Sequence, residues 1–317
     1  MTVANTSNQK MSGLYTALIT PRNKDGSINY KVYESLFDYG APYVDGFVVL
    51  GSTGEPSAFN QYDKEKLIEM GVGKGKDLGK DIVIGASGES INAVKKEYRT
   101  ALKYKATKVL TMPLLGAKQN RPGLVYYYQT LADHGLGIIV YDNKSRCGQG
   151  LTVDDMAEIA KIENIISLKA ASGDIELITE MIDLLAGTDI SVLSGDDGKI
   201  FEIMSRGGVG AISVLSNAYP ELFGKLVKLL KNKEFVRANS LNDEIRNLYR
   251  AASVAGNPTS IMSIINDILK IPVGMVSPEM GHITPAKFTE ILKLFKSESN
   301  LKLQNVRAIK GWREIYK

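Results

Sequence analysis

The chain is poor in the residues that hold metals and cross-links. It has one cysteine, Cys147, and two histidines, His134 and His282, in 317 residues. A lone thiol excludes an intramolecular disulfide and any cysteine-based zinc site, and two histidines so far apart do not make a usual metal cluster. Chemistry without a metal or organic cofactor is therefore expected. No apolar run approaches the ~18 residues that span a bilayer, and residues 1–11 are polar without an apolar h-region, so neither a membrane span nor a signal peptide is expected. A cytoplasmic location is the default. Charge of one sign is also lacking: 39 basic residues face 35 acidic ones, a net +4. With no Lys/Arg cluster interleaved with aromatics, nucleic acid is not an expected partner.

What is present is an ordinary globular composition, 44% hydrophobic and 23% charged, arranged in one repeating unit. After a polar tail over residues 1–12, Gly13–Thr20 is a short apolar run ended by Pro21, and a helical pattern follows from Tyr30 to Tyr43. The alternation recurs with strands near Gly46–Leu50, Ile82–Gly85, Lys108–Met112, Gly137–Tyr141, Ile165–Ala170, Ile190–Leu193 and Gly210–Val214. Between them lie helical patterns over Gln61–Val72, Ile91–Tyr104, Gly123–His134, Val153–Ile162, Ile175–Leu185 and Lys199–Ser205, with Pro220–Leu230 after the last. Eight such units predict a closed parallel (β/α)8 TIM barrel over residues 13–232. Residues 233–317 read as a C-terminal helical appendage: three helices over Glu234–Phe295, then a terminal helix carrying Leu301, Leu303, Val306, Ile309 and Trp312.

In such a barrel the chemistry sits at the C-terminal ends of the strands. Lys169 ends the apolar run Ile165-Ile166-Ser167-Leu168. A desolvated lysine becomes a neutral amine able to attack a carbonyl, whereas a strand-end lysine that snorkels to solvent does nothing. Strict alternation places Ser167 and Lys169 on one face and Ile166 and Leu168 on the other. Tyr141 ends the neighbouring strand, either as an aromatic plug or as a hydroxyl able to shuttle protons beside the amine. Gly51-Ser52-Thr53-Gly54-Glu55, after strand two, is a glycine-bracketed turn fit to receive a carboxylate, and it lacks the lysine of a phosphate loop. Ser194-Gly195-Asp196-Asp197 either lines the mouth or caps the next helix. Cys147 reads as structural, and Gly71-Val72-Gly73-Lys74-Gly75 as a helix-terminating loop, since it follows no strand.

Taken in order, Gly51-Ser52-Thr53-Gly54-Glu55, Tyr141, and Leu168-Lys169-Ala170-Ala171-Ser172-Gly173-Asp174 make the chain, from about Gly13 to Phe295, resemble the dihydrodipicolinate synthase / N-acetylneuraminate lyase superfamily of pyruvate-dependent class I aldolases. The resemblance implies a Schiff base between Lys169 and pyruvate or another 2-oxo acid, with Tyr141 as proton shuttle. It also implies that Ser52 and Thr53 receive the substrate carboxylate, with Thr53 counted in the catalytic set. Ile212 matches the strand-eight residue whose backbone carbonyl faces the site, and Arg146 matches a retained arginine, free for an acidic group on the second substrate. A homo-oligomer, dimer or tetramer, is implied as well. Two departures stand out. Leu115 occupies the place of a relay tyrosine, and Lys144 that of a proline; in addition, Gln61 takes the place of a histidine of the regulatory lysine site. The activity expected is a Schiff-base lyase or synthase. Alternatives are a 2-keto-3-deoxy sugar-acid aldolase or dehydratase, an N-acetylneuraminate lyase-like enzyme, or a non-catalytic 2-oxo-acid-binding relative.

Overall fold

The computed structural model describes residues 10–296. Eight parallel strands close on themselves in sequence order: β1 (Gly13–Ala17), β2 (Gly46–Val49), β3 (Asp81–Gly85), β4 (Lys108–Thr111), β5 (Gly137–Asp142), β6 (Ile165–Ala170), β7 (Ser191–Ser194) and β8 (Gly210–Ser213). The closure is the pairing of β1 with β8, with Tyr15 opposite Ile212. The strands are apolar on both faces because both are covered, outward by helices and inward by one another's side chains. Met11, Tyr15, Val48, Val83, Ile139 and Leu193 belong to the inner core. Met11 is 1% exposed, so the last residues of the polar N-terminal stretch already contribute to it.

Helices α1 (Tyr30–Gly40), α2 (Gln61–Leu78), α3 (Ile91–Lys103), α4 (Arg121–Ala132), α5 (Lys144–Cys147), α6 (Val153–Ile159), α7 (Ile175–Leu185), α8 (Ile200–Ser205) and α9 (Pro220–Lys231) lie between and after the strands. Their starts are written locally: Asn29, Asn60, Ser90, Asn120, Asn143, Thr152 and Asp174 each accept a backbone N–H of the first turn, which satisfies a donor the helix cannot. Helix α2 corrects one expectation, because it runs straight through Gly71–Gly75 and ends only at Gly79, whose φ of 64° is the left-handed cap. The glycines are there for close approach. A Cβ on Gly75 would lie 2.2 Å from Ile82 Cγ1, and one on Gly71 2.7 Å from Val49 Cγ2, so the helix can rest on β2 and β3 only without side chains at those positions.

A second correction concerns β6. Ile138 of β5 pairs with Ile165, but Ile139 pairs with Ser167, so Ile166 is an extra residue in the ladder. This bulge breaks the strict alternation. Ile166 packs into the inner core while Leu168 packs outward against the helices, so the two do not share a face. Lys169 is thereby set opposite Tyr141.

The appendage comprises α10 (Phe235–Glu244), α11 (Arg246–Ser253), α12 (Thr259–Ser263) and α13 (Pro285–Lys296). Among the described residues four α-helices stand where three are expected, because Ile245, at φ −101° and ψ 10°, interrupts what reads as one helix. The appendage is stitched to the barrel mouth. Arg22 N–H donates to Val273 O at 2.9 Å, and Ser277 N–H to Glu55 Oε1 at 2.8 Å. The expected terminal helix carrying Trp312 lies outside the described residues.

Candidate active site

Lys169 and Tyr141 are register partners at the ends of β6 and β5, and they are 4% and 5% exposed. The lysine does not snorkel. Its Nζ lies 4.2 Å from the centroid of the Tyr141 ring, close enough for an ammonium to be held against the π face. Room for its aliphatic stem comes from Gly195, where a Cβ would fall 2.9 Å from both Cγ and Cε of Lys169. The tetrad Ser194–Asp197 divides between its two readings. Gly195 borders the lysine, while Asp196 caps the 3-10 turn that follows, accepting from Gly198 N–H.

The Tyr141 hydroxyl has two polar side chains beside it. Asn143 Nδ2 donates to its oxygen at 3.1 Å, and the Ser52 hydroxyl is a further polar neighbour. Burial alone would push the phenol up, but the Lys169 charge, the bond from Asn143, the nearby Ser52 hydroxyl and the Arg146 charge together hold it below the ordinary value for tyrosine. A phenol tuned down in this way gives its proton more readily.

The glycine-bracketed turn folds into one 3-10 turn over Ser52–Gly54. Among the described residues, no hydrogen bond uses the Ser52 or Thr53 backbone N–H. Two unused amides beside two hydroxyls are donors of the kind that can receive an anion. Its frame is fixed from outside the turn: Thr20 Oγ1 donates to Gly54 O at 2.8 Å, and the buried Glu55, held at φ 51°, pairs with Arg22 at 3.9 Å. The Thr53 hydroxyl accepts from Asn257 Nδ2 at 2.8 Å.

Arg146 lies on α5, exposed, and its Nη2 donates to the backbone carbonyl of Asn257 at 2.8 Å. It is not paired with Asp142, which is buried, turns one oxygen to Leu151 N–H at 3.0 Å, and is pushed up by that burial. Ile212 lies in β8 with its side chain wholly buried in the inner core that also contains Tyr141. Leu115 packs against the same core as an apolar residue at the mouth. Cys147 is buried between Asn143 O and Gln149 O, and burial pushes its thiol up, which makes it inert.

The fold therefore brings Lys169, Tyr141, Ser52, Thr53 and Arg146 around one mouth. Sequence reasoning missed Asn143, Asn257 and the close approach at Gly195. Asn257 had a signal only as part of the break Gly256-Asn257-Pro258, which marks a loop without saying where the loop goes.

The chain is thus a parallel eight-stranded barrel with a buried lysine and tyrosine at its mouth, the layout of a barrel enzyme. The comparisons name its kin. Residues 10–293 match the model of the dihydrodipicolinate synthetase family, and the chain belongs to that family. It is 34% identical over 254 residues to a 4-hydroxy-tetrahydrodipicolinate synthase of Haloarcula marismortui, covering 78% of this chain and 81% of the relative. Among solved structures, a dihydrodipicolinate synthase from Thermotoga maritima is 27% identical with a TM-score of 0.86, over 92% of this chain and 100% of that one. One from Aquifex aeolicus is 25% identical, also with a TM-score of 0.86, over 93% and 100%. No helix among the described residues is long and apolar enough to cross a membrane, and none of those residues forms a group of three or more His, Cys, Asp or Glu fit to hold a metal ion.

Proposed function

We propose that the chain is a Schiff-base lyase or synthase in which Lys169 bonds covalently to pyruvate, or another 2-oxo acid, without metal or organic cofactor. The observation that carries this reading is the buried Lys169 amine 4.2 Å from the Tyr141 ring, beside a turn with two unused amides. The 2-oxo acid carboxylate binds the Ser52-Thr53 turn, which brings the keto carbon to Lys169. Nζ attacks that carbon to form the C–N bond of a carbinolamine. Its hydroxyl takes the Tyr141 proton and leaves as water, giving a protonated imine and a phenolate. The phenolate then removes a proton from the adjacent methyl carbon, which restores the phenol and leaves an enamine as the nucleophile for an aldehyde. The reverse sequence cleaves such a product.

Condensation with an acidic aldehyde such as aspartate semialdehyde is favoured by Arg146, whose guanidinium hangs beside the mouth, and by the name of the Haloarcula relative. Cleavage or dehydration of a 2-keto-3-deoxy sugar acid is the second reading. It is favoured by Leu115, which offers no hydroxyl to a proton relay. The active form is proposed to be a homo-oligomer, although one structural relative, 27% identical, is a monomeric dihydrodipicolinate synthase variant; sedimentation of the purified chain decides that.

The test of the chemistry is borohydride reduction in the presence of pyruvate, followed by peptide mapping, with other 2-oxo acids in parallel. One reduced adduct, confined to Lys169, is expected. An unmodified Lys169 at saturating pyruvate refutes the Schiff base, and the acid that traps fastest identifies the substrate class.

A further inference from the structure

The relay hydroxyl implied by the family pattern is absent at Leu115, yet the Tyr141 phenol is not left to rotate. Its oxygen meets Asn143, two residues along the same chain. The orientation of the Asn143 amide is fixed by its own helix: Asn143 Oδ1 accepts the Arg146 N–H at 3.1 Å and the Ser145 Oγ–H at 2.7 Å, as the N-cap of α5. Reversing the amide would aim N–H donors at the Arg146 N–H, so the cap holds oxygen toward the helix and nitrogen toward the phenol. Nδ2 can only donate. It occupies one of the two in-plane positions on the phenol oxygen, so the phenol proton must take the other, away from Asn143.

We infer that Asn143 is a positioning residue for Tyr141: its cap-locked amide donates to the phenol oxygen and turns the phenol's own proton away from α5, into the mouth. Hydrogen bonding then runs one way, from the Asn143 amide to the Tyr141 oxygen. When the phenol has given up its proton, the same amide stabilises the phenolate left behind. The inference deepens the Schiff-base reading and rests on it for its kinetic arm alone.

The discriminating variant is Asn143→Ser. Serine caps a helix about as well as asparagine, so α5 and Arg146 stay in place, but its short hydroxyl no longer reaches Tyr141. Three measurements are made on the parent, on Asn143→Ser and on Tyr141→Phe: ultraviolet titration of the tyrosines, the pH profile of kcat, and the rate of pyruvate trapping on Lys169. The absorbance difference between the parent and Tyr141→Phe isolates Tyr141, and an Asn143→Ser, Tyr141→Phe double variant does the same in the serine background. Loss of the donor is expected to raise the Tyr141 ionisation by about one pH unit. The alkaline limb of kcat should move up with it, and kcat should fall about tenfold, the equivalent of one unit of acid strength, with KM for pyruvate unchanged. A residue that only caps α5 would leave the titration and the limb where they are in the parent, and that result overturns the assignment. If the parent traps no pyruvate, the Schiff-base reading fails by itself, and the titration still decides on Asn143.

Discussion

Gly195→Ala adds one methyl group against the stem of Lys169. The backbone of Gly195 does not need a left-handed conformation, since it is not among the positive-φ glycines, so the effect is one of space. The new Cβ would sit 2.9 Å from Cγ and Cε of Lys169 and 2.8 Å from Cβ of Ala171. Ordinary carbon contacts are ~3.5–4.0 Å, so the lysine stem must retreat by roughly 0.6–1 Å. The Tyr141 ring, with its centroid 4.2 Å from Nζ, limits that retreat on one side. Overpacking of this kind costs about 1–3 kcal/mol of stability, which lowers the melting temperature by a few degrees in a chain of this length. The cost to chemistry is larger, because misplacing a reacting atom by about 1 Å slows it about 10²-fold. The assay is the single-turnover rate of borohydride trapping on Lys169, read beside a thermal melt. Gly198→Ala is the control, since its Cβ would meet nothing nearer than 3.5 Å and should leave trapping at the parent rate. If Gly195→Ala traps pyruvate as fast as the parent, the lysine is not confined as described and the reasoning fails.

Arg146→Ala is expected to lose about 2 kcal/mol, roughly 30-fold in kcat/KM, on acidic aldehydes and little on uncharged ones, as for a charge-assisted bond to a carboxylate; equal losses on both would reduce Arg146 to a tether on the Asn257 carbonyl. Asp197 is held up to about 6, first by burial, while its Oδ2 accepts from Val214 and Leu215 N–H behind β8. Its folded value is raised, so the native state binds more protons than the unfolded one between about pH 4 and 6, and stability falls as pH rises through that window, by at most about 3 kcal/mol. Asp197→Asn should flatten this slope in urea titrations taken across the window, and an unchanged slope refutes the role.

Much of the barrel is legible because its signals are local. Buried parallel strands are short apolar runs, and each capping residue marks a helix start within its own turn, so the eight-unit alternation can be read without knowing any tertiary contact. Lys169 was legible for the same reason: a charge at the end of an apolar run contradicts its surroundings. The errors lie where distant contact overrides local pattern. Gly71 and Gly75 look like breakers, but they are the places where α2 rests on Val49 and Ile82, and nothing within the helix announces those partners. The extra residue at Ile166 was hidden because a single-residue bulge leaves the strand's composition unchanged while reversing which side chains face inward.

The contribution of the appendage is the least legible part of the site, and it explains how the mouth keeps its geometry with Leu115 in place of a hydroxyl. The Thr53 hydroxyl accepts from Asn257, which lies 204 residues away, and the Tyr141 hydroxyl accepts from Asn143, which lies two residues away. Both donors are amide nitrogens, which cannot accept, so neither hydroxyl can turn its proton toward its asparagine. Each must offer that proton elsewhere. A tyrosine relay orders protons by passing them between groups that both donate and accept. Here the order is imposed from the outside by two groups that only donate, and one of them comes from the appendage. The appendage therefore belongs to the site: removing the Asn257 side chain frees the Thr53 hydroxyl, while Arg146, which bonds the backbone carbonyl of Asn257, keeps its tether.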